Sequence, residues 1–252
     1  MKLPPCAPPA MHFINAKGSS VPKEFAIAAR TNPDMIPQMA ETSKESKDLH
    51  REALARQYVV IVDMSGSMAT RDGRGTRWDS ARVAVEKMVD TIFEYDVDHT
   101  VPLYLFDSQV TFVGELTSPS QVKAVFKEFG PRGSTGLGPA LREALGTYAG
   151  TKRPNYELVP GTTFIVLLDG GADDEGEVTR VLQEFADPKS GYVSNHTQLA
   201  VSFIQIGDDA GASAFLKRLD DGITPDICDF VKDDILSQSG GLDTLLYNAI
   251  FD

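Results

Sequence analysis

The run Tyr58-Val59-Val60-Ile61-Val62 is short, apolar throughout, rich in β-branched residues, and stops at an acid, Asp63. A strand with one wet face would alternate polar and apolar residues. An unbroken run instead suits a strand buried on both faces, as in sheets covered by helices on either side. Thr162 to Leu168 reads as another buried strand and also ends on an acid, Asp169, and Leu199 to Ile206 reads as a further strand.

The segments between these runs carry helical spacing. Trp78, Ala81, Val85, Met88, Val89 and Ile92 share one helix face, with Thr76 and Asp79 placed as a capping box at its start. Ser118, Pro119 and Gln121 predict an N-cap, a first-turn proline and a capping partner for a helix burying Val122, Val125, Phe126 and Phe129. A helix after Gly138-Pro139 aligns Leu141, Ala144, Leu145 and Tyr148; later ones align Val178, Val181, Leu182 and Phe185, then Ala212, Phe215, Leu216 and Leu219, then Leu242, Leu245, Leu246, Ala249 and Ile250. Val101 to Phe106 and Thr111 to Val113 are joined too closely for a parallel crossover and predict an antiparallel pair. Ile227 to Val231 reads as a short edge strand, and Trp78 as core.

Strand and helix therefore alternate from Tyr58 onward, which predicts an α/β fold. Its central sheet is doubly wound and mostly parallel, with one antiparallel edge strand and helices on both faces. Residues 1–56, with many Pro, Lys, Glu and Ser and little apolar periodicity, read as an arm with a charged helix over 43–56; residues 57–252 read as the domain. In open sheets of this kind ligands bind beyond the carboxyl ends of the strands, near the point where strand order reverses. Asp63 and Asp169 fall where that rule expects a site.

Asp63-Met64-Ser65-Gly66-Ser67 sets three oxygen-bearing side chains at alternate positions directly after a strand. Hard oxygen donors suit Mg2+, which takes near-octahedral oxygen coordination and keeps waters. The plainer reading is that these residues cap a turn. The motif resembles the start of the metal ion-dependent adhesion site of the von Willebrand factor A family, Asp-x-Ser-x-Ser. Gly133-Ser134-Thr135-Gly136-Leu137, followed by Ala140-Leu141, is similar to that family's threonine loop, and Leu167-Leu168-Asp169-Gly170 to its aspartate loop. The resemblance runs from Gln57 to the last residue and includes the order of strands and helices.

The resemblance implies a Rossmann-like fold and a divalent metal held by Asp63, Ser65, Ser67, Thr135 and Asp169. The three hydroxyls would bind directly, and the two carboxylates mainly through waters and hydrogen bonds. Mg2+ is the expected ion, with Mn2+ and Ca2+ left open. The implied function is not catalytic: a metal with few anionic ligands takes an Asp or Glu from a protein partner, and ATP-driven remodelling complexes are one partner class that the intracellular branch implies. Ser202 to Gly207, with Phe215-Leu216 and Leu219-Asp220, is further similar to copine and tellurium-resistance A domains. The aspartate loop departs from the family by reading Gly170-Gly171-Ala172-Asp173-Asp174; these last two acids read as serving a helix start rather than the metal.

Competing classes find less support. With 24 Lys plus Arg against 36 Asp plus Glu, the formal charge of −12 opposes a broad nucleic-acid surface. The four histidines lack zinc spacing, and no Gly-x-Gly-x-x-Gly follows the first strand. A Mg2+-dependent phosphatase of the haloacid dehalogenase type is the alternative, since Asp63 follows one strand and Gly207-Asp208-Asp209 another. That chemistry needs a second aspartate two residues after the nucleophile, where this chain has Ser65. Two widely separated cysteines, Cys6 and Cys228, prolines breaking any early apolar run and no stretch of about 18 apolar residues predict a cytoplasmic protein without a membrane span.

Overall fold

The computed structural model describes residues 54–73, 75–152 and 160–251. The charged helix expected over 43–56 and nearly all of the arm lie outside them; of the arm, Leu54 and Arg56 are buried against the sheet.

Six strands form one sheet: β1 (Gln57–Asp63), β2 (Val101–Phe106), β3 (Val110–Leu116), β4 (Thr162–Leu168), β5 (Leu199–Gln205) and β6 (Cys228–Lys232). Their spatial order is β3-β2-β1-β4-β5-β6. All neighbours are parallel except β2 and β3, which form the expected antiparallel edge. Strand order reverses between β1 and β4, the two central strands whose ends carry Asp63 and Asp169.

Alternate side chains of the central strands point to opposite faces. Phe164, Val166 and Leu168 of β4, with Ile61 and Phe203, pack under α3 (Leu137–Lys152), α4 (Glu175–Ala186) and α5 (Ala210–Asp220). Ile165 and Leu167, with Val60, Val62 and Ile204, pack under α1 (Arg77–Tyr95), α2 (Ser120–Glu128) and α6 (Gly241–Phe251). Every residue of β4 and β5 is buried, which is why both are dominated by apolar side chains, with only Thr162 and Thr163 at the start of β4 and Ser202 and Gln205 in β5 polar. Trp78 is core: its indole N–H donates to the Phe126 carbonyl at 3.2 Å and its ring lies 4.3 Å from that of Phe126.

The start of α1 carries the full capping box, Thr76 and Asp79 each accepting from the other's backbone. At α2 only half forms. Gln121 accepts from the Ser118 N–H at 3.0 Å, but the Ser118 hydroxyl pairs with Ser120 instead of capping, and the helix is regular from Ser120. Among the described residues no helix is long and apolar enough to cross a membrane.

Candidate metal centre

Asp63 ends β1 completely buried, and its Oδ1 accepts the backbone N–H of Ser65 at 2.6 Å. That bond folds the chain back over the strand end and starts a 3-10 turn over Gly66–Ala69. The Ser65 and Ser67 hydroxyls then lie 2.9 Å apart, and Ser67 Oγ donates to Asp169 Oδ1 at 2.8 Å. Four of the five expected site residues thus form one connected set across the tips of β1 and β4.

Thr135 reaches this sheet edge through the backbone. Its loop is held by the Gly66 N–H donating to the Gly133 carbonyl at 3.1 Å, and by Arg132 N–H to the Met64 carbonyl at 2.7 Å. Gly133 sits at φ +66, and a side chain there would press against Asp107 and Ser108. Asp107 is buried and paired with Arg132 Nε at 2.8 Å, so the β2–β3 connection supports the threonine loop from behind. Neither Asp107 nor Arg132 was marked by any local sequence pattern.

Asp173 and Asp174 stay outside the connected set. Asp173 Oδ2 accepts the Thr135 N–H at 2.9 Å, while its own N–H donates to the Thr135 carbonyl at 3.0 Å. Asp174 makes no side-chain cap to its own helix, α4. It accepts instead from Leu137 and Gly138 N–H at 3.1 and 2.9 Å, serving the start of α3. Asp174→Ala should therefore destabilise the protein by about 1 kcal/mol, the usual cost of a lost cap, even though no residue of α3 is near it in sequence. Denaturant unfolding reads this directly; an unchanged midpoint would mean the tie carries no energy.

Charge at the site is unevenly balanced. Asp169 is fully buried and both its oxygens are engaged, Oδ1 by Ser67 and Oδ2 by Arg77 Nη1 at 2.8 Å. Asp63 Oδ2 is buried with no hydrogen-bond partner in the protein. Burial pushes the Asp63 carboxyl up to about 7, against the Ser65 N–H, which favours the ionised form; the charge of Asp169 adds to the rise. A buried orphan carboxylate oxygen beside two linked hydroxyls and a second carboxylate fits a hard divalent ion. Among the described residues no three or more His, Cys, Asp or Glu gather into a group that could hold a metal.

Arg77 is the residue the sequence reading missed. A cation in the first turn of a helix opposes the helix dipole, and that local conflict was the available signal. The landmarks of the phosphatase alternative do not converge: Asp208 is exposed and paired with Lys232 at 2.9 Å, and Asp209 caps α5 by accepting from Ala212 N–H at 2.7 Å.

Fold and site together define an open, doubly wound α/β protein with an oxygen-rich cluster at its switch point. Residues 58–160 match the family model described as von Willebrand factor type A domain, a stretch holding Asp63, Ser65, Ser67 and Thr135 and ending before Asp169. The solved D319A mutant of the PilB minor pilin from Streptococcus sanguinis superposes with a TM-score of 0.53 at 12% identity, over 77% of this chain and 60% of that one. The chain thus spans 60% of that pilin's length. The SpRpn10 VWA domain gives 0.54 at 15% identity, over 74% of this chain and 96% of that one. The manganese-loaded TRAP protein of Plasmodium vivax gives 0.51 at 14%, over 72% and 70%. These likenesses show the shared fold, and the family match covers residues 58–160 of it. A comparison with curated protein sequences gave no match.

Proposed function

We propose that residues 57–252 form a metal-dependent interaction module, in which Asp63, Ser65, Ser67, Thr135 and Asp169 hold one divalent ion and an acidic group of a protein partner completes its coordination. The observation that carries this reading is the buried, unpartnered Oδ2 of Asp63 beside the Ser65–Ser67–Asp169 chain. Ser65, Ser67 and Thr135 offer neutral oxygens, while Asp63 and Asp169 orient water and hydroxyl protons. When bound, the ion supplies a Lewis-acid centre that an outside carboxylate can satisfy with a charge-assisted bond. Mg2+ is the ion of first choice; the manganese in the Plasmodium vivax TRAP structure keeps Mn2+ in view.

We take the function to be binding rather than catalysis: the acceptor of the Ser67 hydroxyl, Asp169, is neutralised by Arg77 and so is poorly suited to act as a general base. An intracellular setting is part of the proposal, supported by Cys228, a buried free thiol. ATP-driven remodelling assemblies are the partner class we favour, in keeping with the similarity of Ser202 to Gly207, Phe215-Leu216 and Leu219-Asp220 to the intracellular copine and tellurium-resistance A domains. Peptides selected from a random display library on the immobilised full chain in Mg2+ should be enriched in Asp or Glu and should elute in EDTA. Retention in EDTA, or enrichment with no acidic bias, would overturn the proposal.

A further inference from the structure

Arg77 is the first residue of α1, and its guanidinium reaches across to the tip of β4. The pair it forms with Asp169 is 2.8 Å long, joins residues 92 apart in sequence, and leaves the Arg77 side chain only 20% exposed. Its Nε is buried without a partner, facing Gly207, where an added Cβ would lie 3.2 Å from it. Gly207 stands at φ +82, so a left-handed, side-chain-free turn after β5 makes room for the arginine. The other guanidinium at this edge, Arg132, is engaged by Asp107. Arg77 therefore faces the candidate centre alone among the described arginines and lysines that pair there.

Charge counting gives this contact a consequence. In the metal-bound state, with Asp63 and Asp169 both ionised, the two carboxylates and Arg77 together contribute one negative charge to the cluster. A divalent ion takes it to one positive charge, and a carboxylate ligand then restores neutrality. Without Arg77 the ion alone would reach neutrality and an added carboxylate would overshoot.

We propose that Arg77 is a built-in counter-cation that competes with the divalent ion for Asp169, so that the ion is held weakly alone and firmly only when an acidic ligand binds with it. This inference rests on the metal reading above and adds a property to it: ion and partner bind cooperatively, and Arg77 sets the degree of coupling.

Calorimetric titration of Mn2+ into the metal-free full chain tests it, with wild type, Arg77→Gln and Arg77→Lys compared in sodium chloride and in sodium acetate of equal ionic strength. Removing a unit charge a few ångströms from the ion should tighten Mn2+ binding by Arg77→Gln on the order of tenfold or more in chloride. Arg77→Lys, which keeps the charge, should stay near wild type, and acetate should strengthen Mn2+ binding more for wild type than for Arg77→Gln. Because Arg77→Gln leaves Asp169 buried without its cation, its melting temperature is followed alongside; a larger rise on adding Mn2+ than wild type shows carries the same meaning if the metal-free variant is partly unfolded. If wild type binds Mn2+ and Arg77→Gln binds it no more tightly, the inference fails while the metal site stands. Equal tightening by Arg77→Lys also overturns it, since charge would not be the cause. Absence of Mn2+ binding in all three overturns the metal reading along with it.

Discussion

Asp169→Ala is expected to lower the unfolding free energy of the metal-free protein by about 2–3 kcal/mol and to remove divalent-ion binding at the same time. Asp169 is fully buried and is the one group that joins the two halves of the cluster, through Ser67 on one oxygen and Arg77 on the other. Truncation leaves Arg77 without its counter-charge and Ser67 without its acceptor. Breaking a fully buried pair costs roughly 3–5 kcal/mol, and the smaller figure here reflects the fifth of Arg77 that water already reaches. Urea unfolding in EDTA checks the stability term. A variant as stable as wild type would show that the Arg77–Asp169 contact is not a significant part of the fold's energy.

Asp63→Asn should likewise weaken ion binding, by about a hundredfold, the upper end of the range for loss of a site-supporting group, but should leave the metal-free fold intact. Asp63 Oδ2 has no partner, and burial raises the carboxyl to about 7, so the ionised group is a burden on the metal-free protein. Its folded pKa lies above the unfolded value of about 3.9. The folded form therefore holds a proton that the unfolded chain has released, and this group's contribution falls as pH rises between about 4 and about 7. In EDTA the wild-type melting temperature should lose that increment across this window, and Asp63→Asn should flatten it. By pH 8 the variant should be at least as stable as wild type. A variant much less stable than wild type at pH 8 would mean that the ionised carboxylate is structurally required.

These two aspartates look alike in sequence, each ending an apolar strand, and the fold gives them different duties. Their positions were legible because strands buried on both faces must be continuously apolar, so the first polar residue marks the strand end. The hydroxyl motif was legible because Asp63, Ser65 and Ser67 are local to one turn. What was not legible came from contacts between distant segments. Asp174 stands at the start of α4 yet caps α3, and Arg77 serves Asp169 rather than its own helix. Capping rules read along the chain and cannot choose between two helix starts that meet in space. Ser118 illustrates the same point on a smaller scale, since its hydroxyl had a neighbouring serine to pair with and left half of the box unmade.

Calorimetric titration of the metal-free chain with Mg2+, set against the same titration of Asp63→Asn, tests the central claim most directly. The account predicts saturable binding of one ion per chain by wild type and none by the variant at the same concentrations. Equal binding by both proteins would place the ion elsewhere, and no binding by either would contradict the metal centre itself.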